Sequence, residues 1–137
     1  MSIADNLIFM ITPTAASVAE GGILPLTTIA RRTGRVLRSS NDSILLGLPG
    51  YYKVNATVTF TVPTAGDATI ALYKNSVVIP GITATTSVAT ADTVIDSLAI
   101  SGVVRVMPFE GMATLTIVNE GVAIDSSNIS IDVEYLG

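Results

Sequence analysis

The chain has no cysteine, no histidine and no tryptophan. Without cysteine there is no disulfide framework, no thiolate nucleophile and no cysteine metal site. Such a chain is compatible with assembly in a reducing cytoplasm. Without histidine, the commonest general base and the commonest metal ligand are missing. That weighs against most hydrolases and leaves only a carboxylate-based enzyme to consider. Charge is scarce as well: charged residues make up 13%, against ~25% in an ordinary soluble domain. Aromatics reach only 5%. No run approaches the roughly 20 apolar residues of a membrane span. The net charge of −4 gives the domain as a whole no attraction for nucleic acid or anionic lipid. Linkers, charge runs and internal repeats are also missing, which argues against a propeller or solenoid.

What is present is apolar and small. Hydrophobic residues are 49% of 137, and mean hydropathy is +0.62. A folded monomer of this size exposes roughly 6,800 Å². The 18 charged side chains are too few to cover it. Thr and Ser must cover much of that surface, and copies of the chain are expected to cover part of the rest.

The clearest pattern spans residues 50–62. Tyr52, Val54, Ala56, Val58, Phe60 and Val62 alternate with Lys53, Asn55, Thr57, Thr59 and Thr61. Strict period two puts one face in the core and one face outside, and it excludes a helix. Thr, Val, Tyr and Phe also suit a pleated surface. Pro49-Gly50 opens this central strand and Pro63 closes it.

The rest reads as strands built to pack on it. Residues 7–11 read as extended, ended by Thr12-Pro13-Thr14. Asp5 stands where a secretory signal wants a cation, and no signal peptide is expected. Residues 18–29 contain Gly21-Gly22 and Pro25, so they read as an edge or an irregular stretch. Residues 39–43 form a turn before a short strand at 44–48. A strand at 68–73 turns at Lys74-Asn75-Ser76, where Asn75 suits the left-handed conformation of a tight hairpin. Val77-Val78-Ile79 returns, and Pro80-Gly81 is expected to stop it. Residues 82–92 read as a weak strand or a Thr-rich loop. Residues 93–106 read as one long strand or two bent at Ser101-Gly102. A strand at 112–118 leads to a turn at Asn119-Glu120-Gly121, with Gly121 expected at positive φ. Asp125-Ser126-Ser127 reads as another turn, and residues 128–135 as a cleanly alternating last strand. Eight to ten short strands with no convincing helix indicate an all-β antiparallel sandwich or barrel.

Three pieces of this pattern look familiar together. Gly50-Tyr51-Tyr52-Lys53-Val54 and the strand after it resemble the core of tumour-necrosis-factor-like and complement globular-head jelly rolls. Residues 70–81, Ile-Ala-Leu-Tyr-Lys-Asn-Ser-Val-Val-Ile-Pro-Gly, resemble their "leucine, lysine, asparagine-glycine, valine" hairpin, with Ser76 in place of the usual glycine. Leu115 to Asn119 and Ile129 to Leu136 resemble the last strands of bacterial versions. Those include the tips of collagen-like spore-surface proteins and the head fibres and decoration proteins of phages. The resemblance covers roughly residues 44–137. It implies a ten-strand two-sheet jelly roll working as a homotrimer, with an anchor ahead of it. No Gly-X-Y repeat precedes the pattern here, so the expectation is a compact protein seated directly on a larger assembly such as a phage capsid or tail. Residues 1–20 are expected to be the docking segment and residues 21–137 the single jelly-roll domain.

Several side chains stand out as candidates. Arg31, Arg32, Arg35 and Arg38 are four of the seven basic residues. Such a cluster can grip phosphate or carboxylates, the latter within the chain, between subunits or on an acidic partner. Nucleic-acid binding is not expected, because aromatic interleaving is missing. Leu7, Ile8, Phe9 and Met10 are the candidate anchor. Tyr51, Tyr73 and Tyr135 are candidate trimer contacts, since tyrosine joins an apolar body to a polar tip. Asp92, Asp96 and Asp125 lack the ligand spacing of a calcium loop and read as solvated turn residues. Asp132 and Glu134 share a strand face, and a polar outer surface explains them better than paired catalytic carboxylates. No catalytic residue, metal or cofactor is expected. The reading is a structural virion-surface protein made in the host cytoplasm. The alternative is a receptor-binding or adhesin tip recognising host glycan or protein.

Overall fold

The computed structural model describes residues 6–91 and 95–137. Among the described residues eleven strands make two antiparallel sheets, and no helix interrupts them. In order they are β1 (Leu7–Thr12), β2 (Ala16–Val18), β3 (Thr28–Thr33), β4 (Leu37–Ser40), β5 (Ser43–Leu46), β6 (Gly50–Thr61), β7 (Gly66–Lys74), β8 (Val77–Val88), β9 (Asp96–Val106), β10 (Ala113–Asn119) and β11 (Ile124–Tyr135). The first sheet runs β3-β1-β11-β6-β9, with the short β2 also on β11. The second runs β4-β5-β10-β7-β8. Strands far apart in sequence are neighbours in both sheets, which is the two-sheet jelly roll expected above.

The alternation of β6 works as read. Tyr52, Val54, Ala56, Val58, Phe60 and Val62 all lie in the core between the sheets. Each large apolar side chain so buried contributes about 1.5–3 kcal/mol. Ile129, Ile131 and Val133 of β11 and Leu98, Ile100 and Val104 of β9 lie beside them in register. Ala68, Ile70 and Leu72 of β7 and Ala113, Leu115 and Ile117 of β10 close the core from the second sheet.

Several local expectations change. Pro80-Gly81 does not stop β8, which continues to Val88. β8 is an edge strand, so Pro80 removes no ladder bond that the sheet needs. Gly81 takes φ +87, and a register shift lies between Ala71 and Tyr73 on the facing strand. Residues 82–88 are therefore strand, not loop. β9 runs straight through Ser101-Gly102, where a Cβ on Gly102 would strike Ile82 Cδ1 at 2.6 Å. That glycine permits close packing instead of marking a bend. Asp125-Ser126-Ser127 is not a turn but the start of β11, with an irregularity between Ser126 and Asn128.

The N-terminal expectation changes most. Residues 7–12 are an interior strand, paired with β3 on one side and β11 on the other. Ile8 and Met10 lie in the core, with Asn6 buried beside them in sequence. A side chain already enclosed by its own sandwich cannot also reach a partner. Ile8 and Met10 are thus core residues, whereas Leu7 and Phe9 point outward. No boundary falls near residue 20, because β1 and β2 both pair with β11. Residues 1–5, including Asp5, lie outside the described residues.

Turns carry the remaining logic. The β4–β5 and β7–β8 hairpins each place two residues at positive φ, Asn41 and Asp42 in one, Asn75 and Ser76 in the other. Mirror-image two-residue turns of this kind match the twist of the strands they join. Gly121 does not have the positive φ expected of it. Its role is close approach: a Cβ there would lie 2.2 Å from the Asp67 carbonyl oxygen and 2.6 Å from the Thr69 nitrogen. Asn119, fully buried, holds the same corner. Its Nδ2 donates to the carbonyls of Val18 (3.1 Å) and Val122 (3.0 Å), and its Oδ1 accepts from the Gly121 N–H at 3.0 Å. At the other end the Tyr52 hydroxyl donates to the Leu48 carbonyl and accepts from its N–H. Burial, the largest influence, raises the Tyr52 pKa above its ordinary 10.0.

These contacts set the expected stability of three variants. Ser76→Gly relieves a left-handed serine that costs about 1–2 kcal/mol and loses part of that gain to unfolded-state entropy. A gain of about 0.5–1 kcal/mol is expected in urea unfolding. Gly121→Ala forces a methyl into backbone that cannot yield, with a loss of about 3 kcal/mol by the same assay. The raised Tyr52 pKa means that the folded state resists deprotonation. Its stabilising effect is complete below pH 10 and is lost as pH rises through the folded value. Tyr52→Phe should lower stability at pH 7 by about 1–3 kcal/mol and flatten the alkaline limb of a stability–pH profile.

Candidate assembly interface

Directly opposed residues of neighbouring strands project to the same side of a sheet, so the registers of the first sheet map its outward face. One row reads Arg31, Phe9, Asp132, Asn55 and Ser101 across β3, β1, β11, β6 and β9. The row above it reads Thr33, Leu7, Glu134, Lys53 and Val103. The row below reads Thr28, Ile11, Ser130, Thr57 and Ala99. Asn128, Thr59 and Ser97 extend the face downward, and Tyr51 opposes Arg105 at its upper rim.

This face has an unusual make-up for a solvent-facing sheet. Leu7, Phe9 and Ile11 form a half-exposed apolar stripe along β1. Beside it lie short uncharged side chains, mostly Ser, Thr and Asn. Its charges in the middle rows are few and opposed: Lys53 faces Glu134 in direct register, and Arg31 shares a row with Asp132. Short side chains let another backbone approach closely, and fully charged surfaces resist that desolvation. The total accessible surface of the chain, 6777 Å², equals the roughly 6,800 Å² of an ordinary monomer of this mass. The core is therefore complete within one chain, and a partner on this face would add to a finished fold.

The structure separates the candidate tyrosines. Tyr51 is exposed at the rim, with the Arg105 guanidinium 5.3 Å from its ring centroid. Tyr135 is half-buried, tilted against Tyr52 with ring centroids 4.9 Å apart, and its hydroxyl donates to the Pro49 carbonyl at 2.8 Å. Tyr73 lies on the second sheet, where its hydroxyl donates to a Glu120 carboxylate oxygen. That bond, above all, raises the Tyr73 pKa. Tyr51 stands at the outward face, Tyr135 packs on its own fold, and Tyr73 belongs to the other sheet.

The arginines also divide. Arg31 stands on the outward face beside Phe9. The Arg32 Nε donates to the Leu37 carbonyl at 2.8 Å and ties β3 to β4. Arg35 lies in the β3–β4 connection, and Arg38 lies on edge strand β4. All four are exposed. The ion pair found among the described residues is elsewhere: Lys74 Nζ lies 3.0 Å from Glu110 Oε2 and also donates to the Arg105 carbonyl at 2.9 Å. The Met107 N–H, followed by Lys74, holds the Glu110 carboxyl below its ordinary range.

The acidic candidates do not converge. Asp92 lies outside the described residues. Asp125 opposes Thr61 and accepts from the Ser17 hydroxyl at 2.8 Å, while Asp96 opposes Phe60 and accepts from the Ser97 N–H at 2.9 Å. Thr61 and Phe60 are adjacent residues on opposite sides of β6, so the two carboxylates diverge. Among the described residues no group of three His, Cys, Asp or Glu could hold a metal ion. Nor, among those residues, is any helix long and apolar enough to cross a membrane.

The bulges, the paired edges, the hydrogen bonds of Asn119 and the division of β1 into an inward and an outward face all depend on register and are not evident from the sequence. No protein-family model matches the chain, and no curated protein matches it in sequence. Solved structures match almost end to end. The PRD1 vertex protein P5 superposes with a TM-score of 0.68 at 16% identity, covering 98% of this chain and 99% of its own. Murine APRIL gives 0.66 at 14% identity, covering 94% and 98%. The globular domain of the zebrafish complement 1qA protein gives 0.63 at 10% identity, covering 96% and 98%. Two antiparallel sheets in this order, matched over nearly the full length of each neighbour, give the chain the tumour-necrosis-factor/complement-globular-head type of jelly-roll fold.

Proposed function

We propose that the protein is a structural, non-enzymatic component of a phage virion surface that assembles as a homotrimer through the outward face of its first sheet. The observation that carries this reading is the weakly charged face of Leu7, Phe9, Ile11, Thr57 and Ser101 on an already complete fold. A solitary soluble domain has no need of such a face, while a self-associating one does. The end-to-end likeness to a vertex protein supports the setting. The other neighbours share the fold in unrelated settings, so the likeness supports a role in assembly and not a particular ligand. Leu7, Phe9, Arg31 and Tyr51 are the contact residues in this reading, with Arg31 meeting a carboxylate of the neighbouring copy.

A trimer of jelly rolls is held by contacts that differ on its two partners, so a charge on the face disrupts it without touching the core. Light scattering on the purified protein should give the mass of three chains. Thr57→Lys combined with Ser101→Lys should give a folded monomer with an unchanged circular dichroism spectrum. A wild-type monomer would overturn the trimer. Purified virions whose mass spectrum lacks this chain would overturn the location.

A further inference from the structure

Strand register sorts the charges of this protein along the sandwich. Take the end bearing Gly50, Val106 and Tyr135 as the upper end and the end bearing Thr61, Asp96 and Asp125 as the lower. Arg35, Arg38, Lys74 and Arg105 lie at or near the upper end. Lys53, Arg32 and Arg31 lie below them but still above the waist. That is all seven cations. Among the described side chains only three carboxylates, Glu110, Asp132 and Glu134, share this half, which leaves those side chains four positive charges in excess. Below the waist the described residues supply Glu20, Asp67, Asp96, Glu120 and Asp125, and no cation. Asp42 sits near the waist.

Each upper carboxylate has a cation in contact or in its own row, though only Glu110 makes an ion pair. Glu110 is held by Lys74, Glu134 faces Lys53 and Asp132 shares a row with Arg31. The excess therefore belongs to Arg32, Arg35, Arg38 and Arg105. The two ends are separated by about 40 Å, the length of a 12-residue strand. The Debye length is about 8 Å at physiological salt. An approaching surface meets one end without sensing the other, so the overall charge of −4 does not cancel the local excess.

The upper end also carries several exposed apolar side chains, although Ile95, 74% exposed, lies at the lower end. Phe109 is 81% exposed, Val77 66%, Met112 60% and Val103 57%. Between β8 and β9 an open groove of about 290 Å³ is walled by Val77, Ile79, Pro80 and Val103, with Lys74 and Arg105 at its rim. Phosphate backbones and glycans offer nothing apolar to cover these side chains. A groove with valine walls is concave and suits a side chain or an extended segment better than a lipid headgroup.

We infer that this end is a docking surface for an acidic protein surface, in which carboxylates meet the four arginines and apolar side chains cover Phe109, Met112 and the groove. This rests on the reading above that the protein sits on a larger assembly, and it adds which end faces that assembly. The acidic lower end then faces away.

The test separates placement of charge from total charge. Binding of a fluorescent poly-glutamate peptide is measured by anisotropy at 50 and 200 mM salt. One variant carries Arg35→Glu and Arg38→Glu. A control carries Ala19→Glu, Thr64→Glu, Ala65→Glu and Ala123→Glu, on lower-end loops, and has the same net charge. The wild type and the control should bind alike, about tenfold more weakly at the higher salt, and the upper-end variant at least tenfold more weakly than either. Equal loss in both variants, or no binding by the wild type at 50 mM salt, would overturn the proposal. So would duplex DNA or phosphatidylserine vesicles bound as tightly as the peptide. Mass growing beyond one oligomer at 50 mM salt would overturn it by identifying the lower end of another copy as the acidic partner. Peptide binding is read on whatever oligomer forms, so a failed trimer and a failed docking end are distinct results.

Discussion

Everything in this sandwich is referred to the two-sided pairing of β6. It is bonded to β11 along one side and to β9 along the other for nearly its full length. A strand enclosed in this way cannot slip by one residue without turning Tyr52, Val54 and Phe60 out of the core and Thr57 and Thr59 into it. Both neighbours are locked by the same penalty, and β1 is locked through β11. The outward face inherits its order from the buried one: Asp132 lies beside Asn55 because Ile131 lies beside Ala56.

This dependence explains what the sequence revealed and what it concealed. Period-two stretches announced β6, β10 and the later part of β11, because there one face is plainly apolar and the other plainly polar. The central hairpin at Asn75-Ser76 was legible from turn chemistry. Pro80-Gly81 misled because a proline is a stop signal only where its missing N–H would have been used, and edge position is a property of the finished sheet. Gly121 misled in the same way: its sequence context is a turn, but the demand on it comes from the backbone of Asp67 and Thr69, more than 50 residues earlier. Ser126 and Asn128 flank an irregularity that no local pattern encodes.

The candidate surface was legible only in fragments. Arg31, Arg32, Arg35 and Arg38 are neighbours in the chain, so their clustering is visible in the sequence. Arg105 and Lys74 reach the same end by register alone. Leu7 to Met10 is one apolar unit in sequence, yet extended backbone splits it: Ile8 and Met10 go in, Leu7 and Phe9 go out. Net charge was the least informative quantity, because it sums over ends too far apart to screen one another.

The four sheet edges show how such an apolar chain avoids indiscriminate association. An unpaired edge is a template for any extended peptide. β3 carries Arg31 and Arg32, β4 carries Arg38, and β9 carries Asp96 and Arg105, so an incoming strand at those edges must bury a charge. β8 has no charged residue in its 12 positions. It has Pro80, which cannot donate to a new partner, followed by Gly81 in a left-handed bend. The feature that first read as the end of a strand is the guard on the long edge strand that lacks electrostatic protection. Remove it, and fibre growth through β8 becomes the path of least resistance for the folded protein.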